Sequence, residues 1–324
     1  MVVYFDKRNI LSFIRSARDR KFEDCMRMIQ QFCEIKMTFP RSSVDSMNEI
    51  DRTDFMQWLN TLADGYSREF SWDCHFPPAP FERNSLTKKK HYSSVYCLEQ
   101  QTKLKECLLI ANEGEELSKL STLFIKSNQY TSNVFRHILK WGDLNKYSSP
   151  CTDIIIVDKF LFSRPNLYNS NIYELIRTLC ERAEYTQINI VIFTLKEVYD
   201  KISKTTFVPD WNVIYNKIRK CVGKRTPRPN VTFVTAGNNK LDEHDRTIFT
   251  NYKTFASGDS FNYFDEQGNR ITNGRWFHAH SLVNDEAELD AIDFIDDMQS
   301  IITDLKNLNS DLIMKDKVSN FLFF

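Results

Sequence analysis

The sequence predicts an α/β protein. A C-terminal α/β domain over residues 151–324, with a mainly parallel or mixed sheet flanked by helices, follows a mainly helical domain over residues 1–150. Three observations predict this. After Pro150, continuous β-branched and aromatic runs alternate with amphipathic segments, the pattern of strands buried on both faces between helices. Before Pro150, apolar residues recur at helical spacing, separated by irregular inserts. The 324 residues are 42% hydrophobic and 27% charged, enough for a sizeable core in one large or two medium domains.

The elements follow in order. Ile10, Leu11, Phe13 and Ile14 open an amphipathic segment, and Phe22, Met26, Met28, Ile29, Phe32 and Cys33 continue the helical spacing. Residues 75–90, HFPPAPFERNSLTKKK, read as a loop, because Pro77, Pro78 and Pro80 forbid a regular helix. Residues 91–98 read as a strand. Residues 115–127 and 132–141 read as helices, the second ending at Gly142 and Asp143. Beyond Pro150, strands are predicted at 153–162 (DIIIVDKFLF), 188–193 (INIVIF) and 230–234 (NVTFV), with helices at 171–183 and 211–222 between them. Shorter strands follow at 246–250 and 252–257, then an apolar segment through Trp276 and Phe277. The last element is a helix over 285–308, striped by Leu289, Ile292, Ile295, Ile302 and Leu305. Acids in its first part suit the positive end of the helix dipole; they read as a solvated helix face, with a partner dock as the functional alternative.

Composition excludes several function classes. Lys plus Arg and Asp plus Glu are both 43, so the net charge is zero and a globally basic nucleic-acid coat is ruled out. Only 8 glycines and 9 prolines are present, which excludes collagen-like and linker-dominated chains. Neither G-x-x-x-x-G-K-[ST] nor G-x-G-x-x-G occurs, so the phosphate-loop and dinucleotide fingerprints are absent. The eight cysteines are scattered without C-x-x-C or His/Cys ligand spacing. They read as reduced thiols of a cytoplasmic protein, with no metal and no cofactor expected. His278-Ala279-His280 lacks a third ligand at a recognised spacing. No apolar stretch is long enough for a membrane span, and MVVYFDKRNILSF carries charges inside its apolar run, unlike a signal peptide.

The sharpest local pattern is His244-Asp245-Arg246, then Asn251, then Ser257-Gly258-Asp259-Ser260-Phe261-Asn262. On a strand, His244 and Arg246 share one side. A histidine beside a fixed cation suits phosphoryl chemistry. The imidazole attacks or shuttles a proton while the cation holds the phosphoryl oxygens. The Ser/Gly turn adds small side chains and backbone N–H groups for the same anion. Three readings stay open for His244 and Arg246: a phosphodiesterase site, an anion- or partner-binding site, and a structural turn. Asp158 and Thr194 each stand at a strand end, where α/β folds bind ligands and where caps also occur.

The order H-x-[basic]-x-x-x-x-[acid or amide], a spacer, then G/S-x-x-N resembles the HKD motif of the phospholipase D superfamily. The wider arrangement over residues 153–264 is similar to the phospholipase D-like domain at the C-terminus of MIT-domain proteins and to its relatives in bacterial conflict systems. The residues that carry the likeness are Ile156-Val157-Asp158-Lys159-Phe160, Phe193-Thr194, His244-Asp245-Arg246 and Gly258 to Phe264. The resemblance implies a metal-independent phosphodiesterase or nuclease, or a binding module that has lost hydrolysis, and it brings the association with bacterial defence. His244 would be the nucleophile. Arg246 stands where the family has Lys, and Asn251 where it has Asp. Ser260 and Asn262 correspond to the downstream polar pair that holds phosphate, with Asp158 and Thr194 beside them. A complete site would pair two copies of His244 in a homodimer.

Residues 211–230 carry Lys217, Arg219, Lys220, Lys224, Arg225 and Arg228 and no acid. In a nucleic-acid reading these track phosphates. In the alternative they form a solvated helix face and loop. Lys88-Lys89-Lys90 is a second basic patch. Phe261, Tyr263, Phe264, Trp276 and Phe277 read as base-stacking aromatics or as core. Residues 1–150 are the expected surface for a protein partner.

Overall fold

The computed structural model describes residues 1–63, 70–72, 94–98, 109–124, 131–133, 135–181, 188–200, 203–223, 229–237, 241, 246–271, 276–282, 293–294, 296–304 and 312–314. They form a mixed α/β protein of two units. One comprises Met1–Tyr130 with Ser281–Glu288, the other Thr131–His280 with Leu289–Phe324. The expected boundary at 150 therefore moves to 130. Trp141 explains the shift: it is 1% exposed and packs against Tyr263 (5.3 Å between ring centroids), Phe264 (5.6 Å) and Phe277 (6.3 Å). It belongs to the core of the second unit.

The first unit corrects the expectation of a mainly helical domain. Its elements are β1 (Val2–Phe5), α1 (Lys7–Ser16), α2 (Glu23–Phe32), β2 (Glu34–Met37), α3 (Glu49–Ala63), β3 (Phe70–Trp72), β4 (Ser94–Cys97), β5 (Leu109–Ala111) and α4 (Glu116–Leu120). The strands form a parallel sheet in the order β3-β2-β1-β4-β5. Each strand is three or four residues long, too short for periodicity to separate it from a turn of buried helix. Phe5 on β1 meets Phe13 on α1 at 4.9 Å, and Phe13 meets Trp58 on α3 at 6.0 Å, so the helices seal the sheet through an aromatic core. Residues 75–90 lie outside the described residues.

The second unit holds β6 (Thr131–Asn133), β7 (Asp153–Val157), α5 (Glu174–Glu181), β8 (Asn189–Leu195), β9 (Val198–Asp200), β10 (Thr205–Phe207), α6 (Trp211–Cys221), β11 (Asn230–Ala236), β12 (Arg246–Thr250), β13 (Lys253–Ser257), β14 (Phe277–Ser281) and β15 (Leu312–Met314). Its large sheet has the order β15-β11-β8-β7-β12-β13-β14-β6, and β9 and β10 pair as a separate antiparallel ribbon. The three strands expected around 153, 188 and 230 are adjacent and parallel, with Ile154 opposite Ile190 and Ile190 opposite Val231. Every residue of β7 and β8 is buried, as strands covered on both faces require. β12 then runs antiparallel to β7, with Thr247 opposite Val157.

Two local expectations change. The predicted helix over 132–141 is β6 followed by 3-10 turns at Phe135–His137 and Trp141–Lys146. Asp143 starts the second turn rather than ending a helix, because its carboxylate accepts from the Leu139 (2.9 Å) and Lys140 (3.2 Å) N–H groups. The predicted strand over 153–162 stops at Val157, where Asp158 begins a turn. Of the C-terminal helix, 293–294 and 296–304 are described and helical, with Met298 and Ile302 buried and Phe294 meeting Phe249 at 5.0 Å. Among the described residues no helix is long and apolar enough to cross a membrane.

Candidate functional site

In the second unit the chain winds β7, β8, β11 to one side and then crosses to β12 on the other. The winding reverses between β7 and β12, and open α/β sheets bind ligands outside the strand ends at such a reversal. Asp158 follows the carboxyl end of β7, and Arg246 begins the antiparallel β12 at the same edge.

Asp158 is 1% exposed and acts as a clasp. Its Oδ1 accepts from the Phe160 N–H (2.9 Å). Its Oδ2 accepts from the Ser260 hydroxyl (2.7 Å) and the Phe261 N–H (2.9 Å). Burial pushes the carboxyl above its ordinary range, while these donors and the Arg246 charge pull it back. Asn262 closes the clasp from the other side. Its Nδ2 donates to the Phe160 carbonyl (3.0 Å), the Leu161 carbonyl (3.3 Å) and Ser260 Oγ (3.0 Å). Its Oδ1 is buried and finds no partner among the described residues. The loop 258–262 is thereby fixed against the end of β7.

Arg246 is half-buried. Its Nη1 donates to the Gly258 carbonyl (3.3 Å), and its guanidinium lies 5.6 Å from the centroid of the Phe160 ring. Phe160 is 41% exposed, so this cation–ring pair stands at the surface beside the clasp. Thr194 is fully buried, and its hydroxyl donates to the Lys159 carbonyl (3.3 Å). It ties the end of β8 to the turn after β7 and so acts on the site through the backbone.

Asn251 does not join the cluster. It follows the far end of β12, where Oδ1 accepts from the Thr152 (2.7 Å) and Asp153 (3.1 Å) N–H groups and Nδ2 donates to Asp153 Oδ2 (3.4 Å). Arg246 and Asn251 are five residues apart along an extended chain, roughly 15 Å. In this structure Asn251 organises the start of β7. His244 lies outside the described residues, as do Lys224, Arg225 and Arg228.

The three described basic residues of α6 have local partners or solvent. Lys217 Nζ lies 5.6 Å from the Tyr173 ring centroid. Arg219 donates to the Tyr215 hydroxyl (2.6 Å), and Lys220 is exposed in the last turn, where a cation suits the helix dipole. Of the candidate stacking aromatics, Phe261, Tyr263, Phe264 and Phe277 are at most 1% exposed and form core. Trp276 is half-buried.

A second strand-end cluster, not anticipated from the sequence, lies within the first unit. There the winding reverses between β1 and β4. The Asp6 N–H donates to the Cys97 carbonyl (3.1 Å), and Asp6 Oδ1 accepts from the Asn9 N–H (2.8 Å) and Nδ2 (3.0 Å), capping α1. Glu116 is fully buried. Its Oε2 accepts from the Ser12 hydroxyl (3.2 Å) and the Gly114 N–H (2.9 Å), and burial raises its carboxyl above the ordinary range. The signal was present in Val2-Val3-Tyr4-Phe5-Asp6, which repeats the pattern of Ile154-Ile155-Ile156-Val157-Asp158: an apolar strand that ends on an aspartate.

Comparison with family models, with curated proteins and with solved structures returned no match to this chain.

Proposed function

We propose that the second unit is a phospholipase D-like domain that binds or acts on a phosphodiester, with nucleic acid as the substrate class, at the edge between β7 and β12. The observation that carries this reading is the Arg246 guanidinium at the winding reversal, set beside the 258–262 loop that Asp158 clasps. A guanidinium offers a planar fork of donors that matches two phosphoryl oxygens, and a clasped loop gives that fork a fixed wall. In the enzymatic form, His244 attacks phosphorus and a second copy's His244 protonates the leaving oxygen. Water then attacks the phosphohistidine while giving a proton to the second copy's His244, breaking the P–N bond, releasing the phosphate product and restoring both imidazoles. No metal takes part, and the unit works as a homodimer in the cytoplasm, with bacterial defence as its setting.

A second reading is favoured by one observation. The Asn251 carboxamide, at the family's Asp position, is committed to Thr152 and Asp153 rather than to orienting a histidine. On this reading the same edge binds an anion or a protein segment without hydrolysis, and residues 1–150 bind a further protein. A nuclease assay in excess EDTA on single- and double-stranded DNA and RNA separates the two. Cleavage that survives EDTA and is lost in His244→Ala supports the enzyme. Binding without cleavage supports the module. Neither binding nor cleavage on any substrate contradicts the phosphodiester reading.

A further inference from the structure

The edge around Arg246 continues into a row of rings. β14 alternates strictly. Phe277, Ala279 and Ser281 are buried, and His278 and His280 are half-buried. Trp276, directly before β14, is half-buried and shares their side, because residues two apart on a strand face the same way. The Trp276 and His278 centroids are 5.5 Å apart at 71°, and the His278 and His280 centroids are 5.9 Å apart at 26°. Three partly exposed rings thus follow one another along a single strand. Their neighbours on the opposite face, Phe277 among them, stack into the core at 6.0 Å from Phe255.

Gly258 joins this row to the candidate site. Its carbonyl accepts from Arg246, and its N–H donates to the Trp276 carbonyl (3.3 Å). A Cβ at Gly258 would come within 2.9 Å of Trp276 Nε1, so the indole lies against bare backbone there. One glycine therefore touches both the guanidinium and the first ring.

We propose that Trp276, His278 and His280 form a stacking strip for the bases of a single-stranded nucleic acid whose phosphate is held at Arg246. This rests on the phosphodiester reading and narrows it to single strands. The chemistry favours that ligand. Ring faces stack on any base, and a cation at the end of the strip complements a phosphate. The ring centroids recur every 5.5–5.9 Å, wider than the roughly 3.4 Å spacing of stacked nucleotides, so the strip suits an opened strand. The bases of a duplex are already stacked on one another and offer no free faces.

The test is binding of a fluorescent oligo(dT), an abasic phosphodiester strand of equal length, and a duplex, to the full chain in EDTA. Variants are Trp276→Ala, His278→Ala with His280→Ala, and the ring-keeping Trp276→Phe and His278→Phe with His280→Phe. The expected result is a loss of roughly tenfold in oligo(dT) affinity for each ring removed. The ring-keeping variants retain affinity, and the abasic strand binds as weakly to wild type as to the alanine variants. These comparisons hold even where an alanine variant loses stability, because the ring-keeping variants preserve the packing on Gly258. Equal binding of oligo(dT) and the abasic strand by wild type, or alanine variants that bind oligo(dT) as wild type does, overturns the strip while leaving an Arg246-dependent phosphodiester site standing. Absence of binding to every strand overturns both.

Discussion

β1 and β7 each carry an apolar strand into an aspartate at a winding reversal, and the two aspartates do different work. The Asp6 carboxylate works locally through Oδ1, capping α1 through Asn9, three residues on. Asp158 reaches across the chain, taking Ser260 and Phe261, which lie 102 and 103 residues away, as well as its near neighbour Phe160. The first contact costs the chain little entropy to form. The second joins Asn262 in tying a loop to a strand end about a hundred residues away, at a larger entropic cost. A strand that ends on an aspartate therefore marks the rim of a sheet, and the loop that returns to that rim decides whether the aspartate is a cap or a clasp.

Three substitutions probe these strand ends. Asp158→Ala removes the acceptor of two buried N–H groups and a hydroxyl, and should cost about 3 kcal/mol or more in urea unfolding. Asn251→Ala leaves the Thr152 and Asp153 N–H groups without their acceptor at the opposite end of β7 and should cost about 2–3 kcal/mol. Because it lies away from Arg246, it should leave oligonucleotide affinity unchanged. Asp6→Ala removes a helix cap and should cost about 1 kcal/mol. If Asp6→Ala proves as damaging as Asp158→Ala, the distinction between cap and clasp fails.

The smallest effect is one of pH. Burial raises the Glu116 carboxyl above its ordinary value near 4.5, so the folded chain holds that proton more tightly than the unfolded chain. Its contribution to stability is full below the ordinary value and is lost as pH rises through the raised one. Glu116→Gln is neutral throughout, so its stability relative to wild type should climb across that window and then level off. A relative stability that falls with pH would show that Glu116 is held ionised by contacts stronger than its burial.

Much of the second unit was legible in the sequence because its central strands are long and fully buried. Residues 153–157, 189–195 and 231–236 are buried on both faces and rich in β-branched and aromatic side chains, and no helical pattern competes with them. Of the first sheet only β4 was legible, inside the strand read over 91–98. Val2–Phe5 and Leu109–Ala111 fit one helical turn as well as a strand, and the parallel partners that decide the matter are distant in sequence. At the site, Asp158, Arg246, Ser260 and Asn262 lie together at one strand edge. Asn251 was not, because counting residues in a motif does not reveal how far apart an extended strand holds them. The histidines of β14 were read as a failed metal pair. Their place beside Trp276 appears only when the alternation of β14 is seen against the buried side.

An Arg246 that meets a phosphodiester at the edge between β7 and β12 sets both the affinity and the salt dependence of binding. Affinity for a single-stranded oligonucleotide, measured by fluorescence anisotropy for wild type, Arg246→Lys and Arg246→Ala across a salt series, tests it most directly. The account predicts at least about tenfold weaker binding for Arg246→Ala, a smaller loss for Arg246→Lys, and a shallower salt dependence in the alanine variant. Equal affinity and equal salt dependence in all three proteins would contradict it.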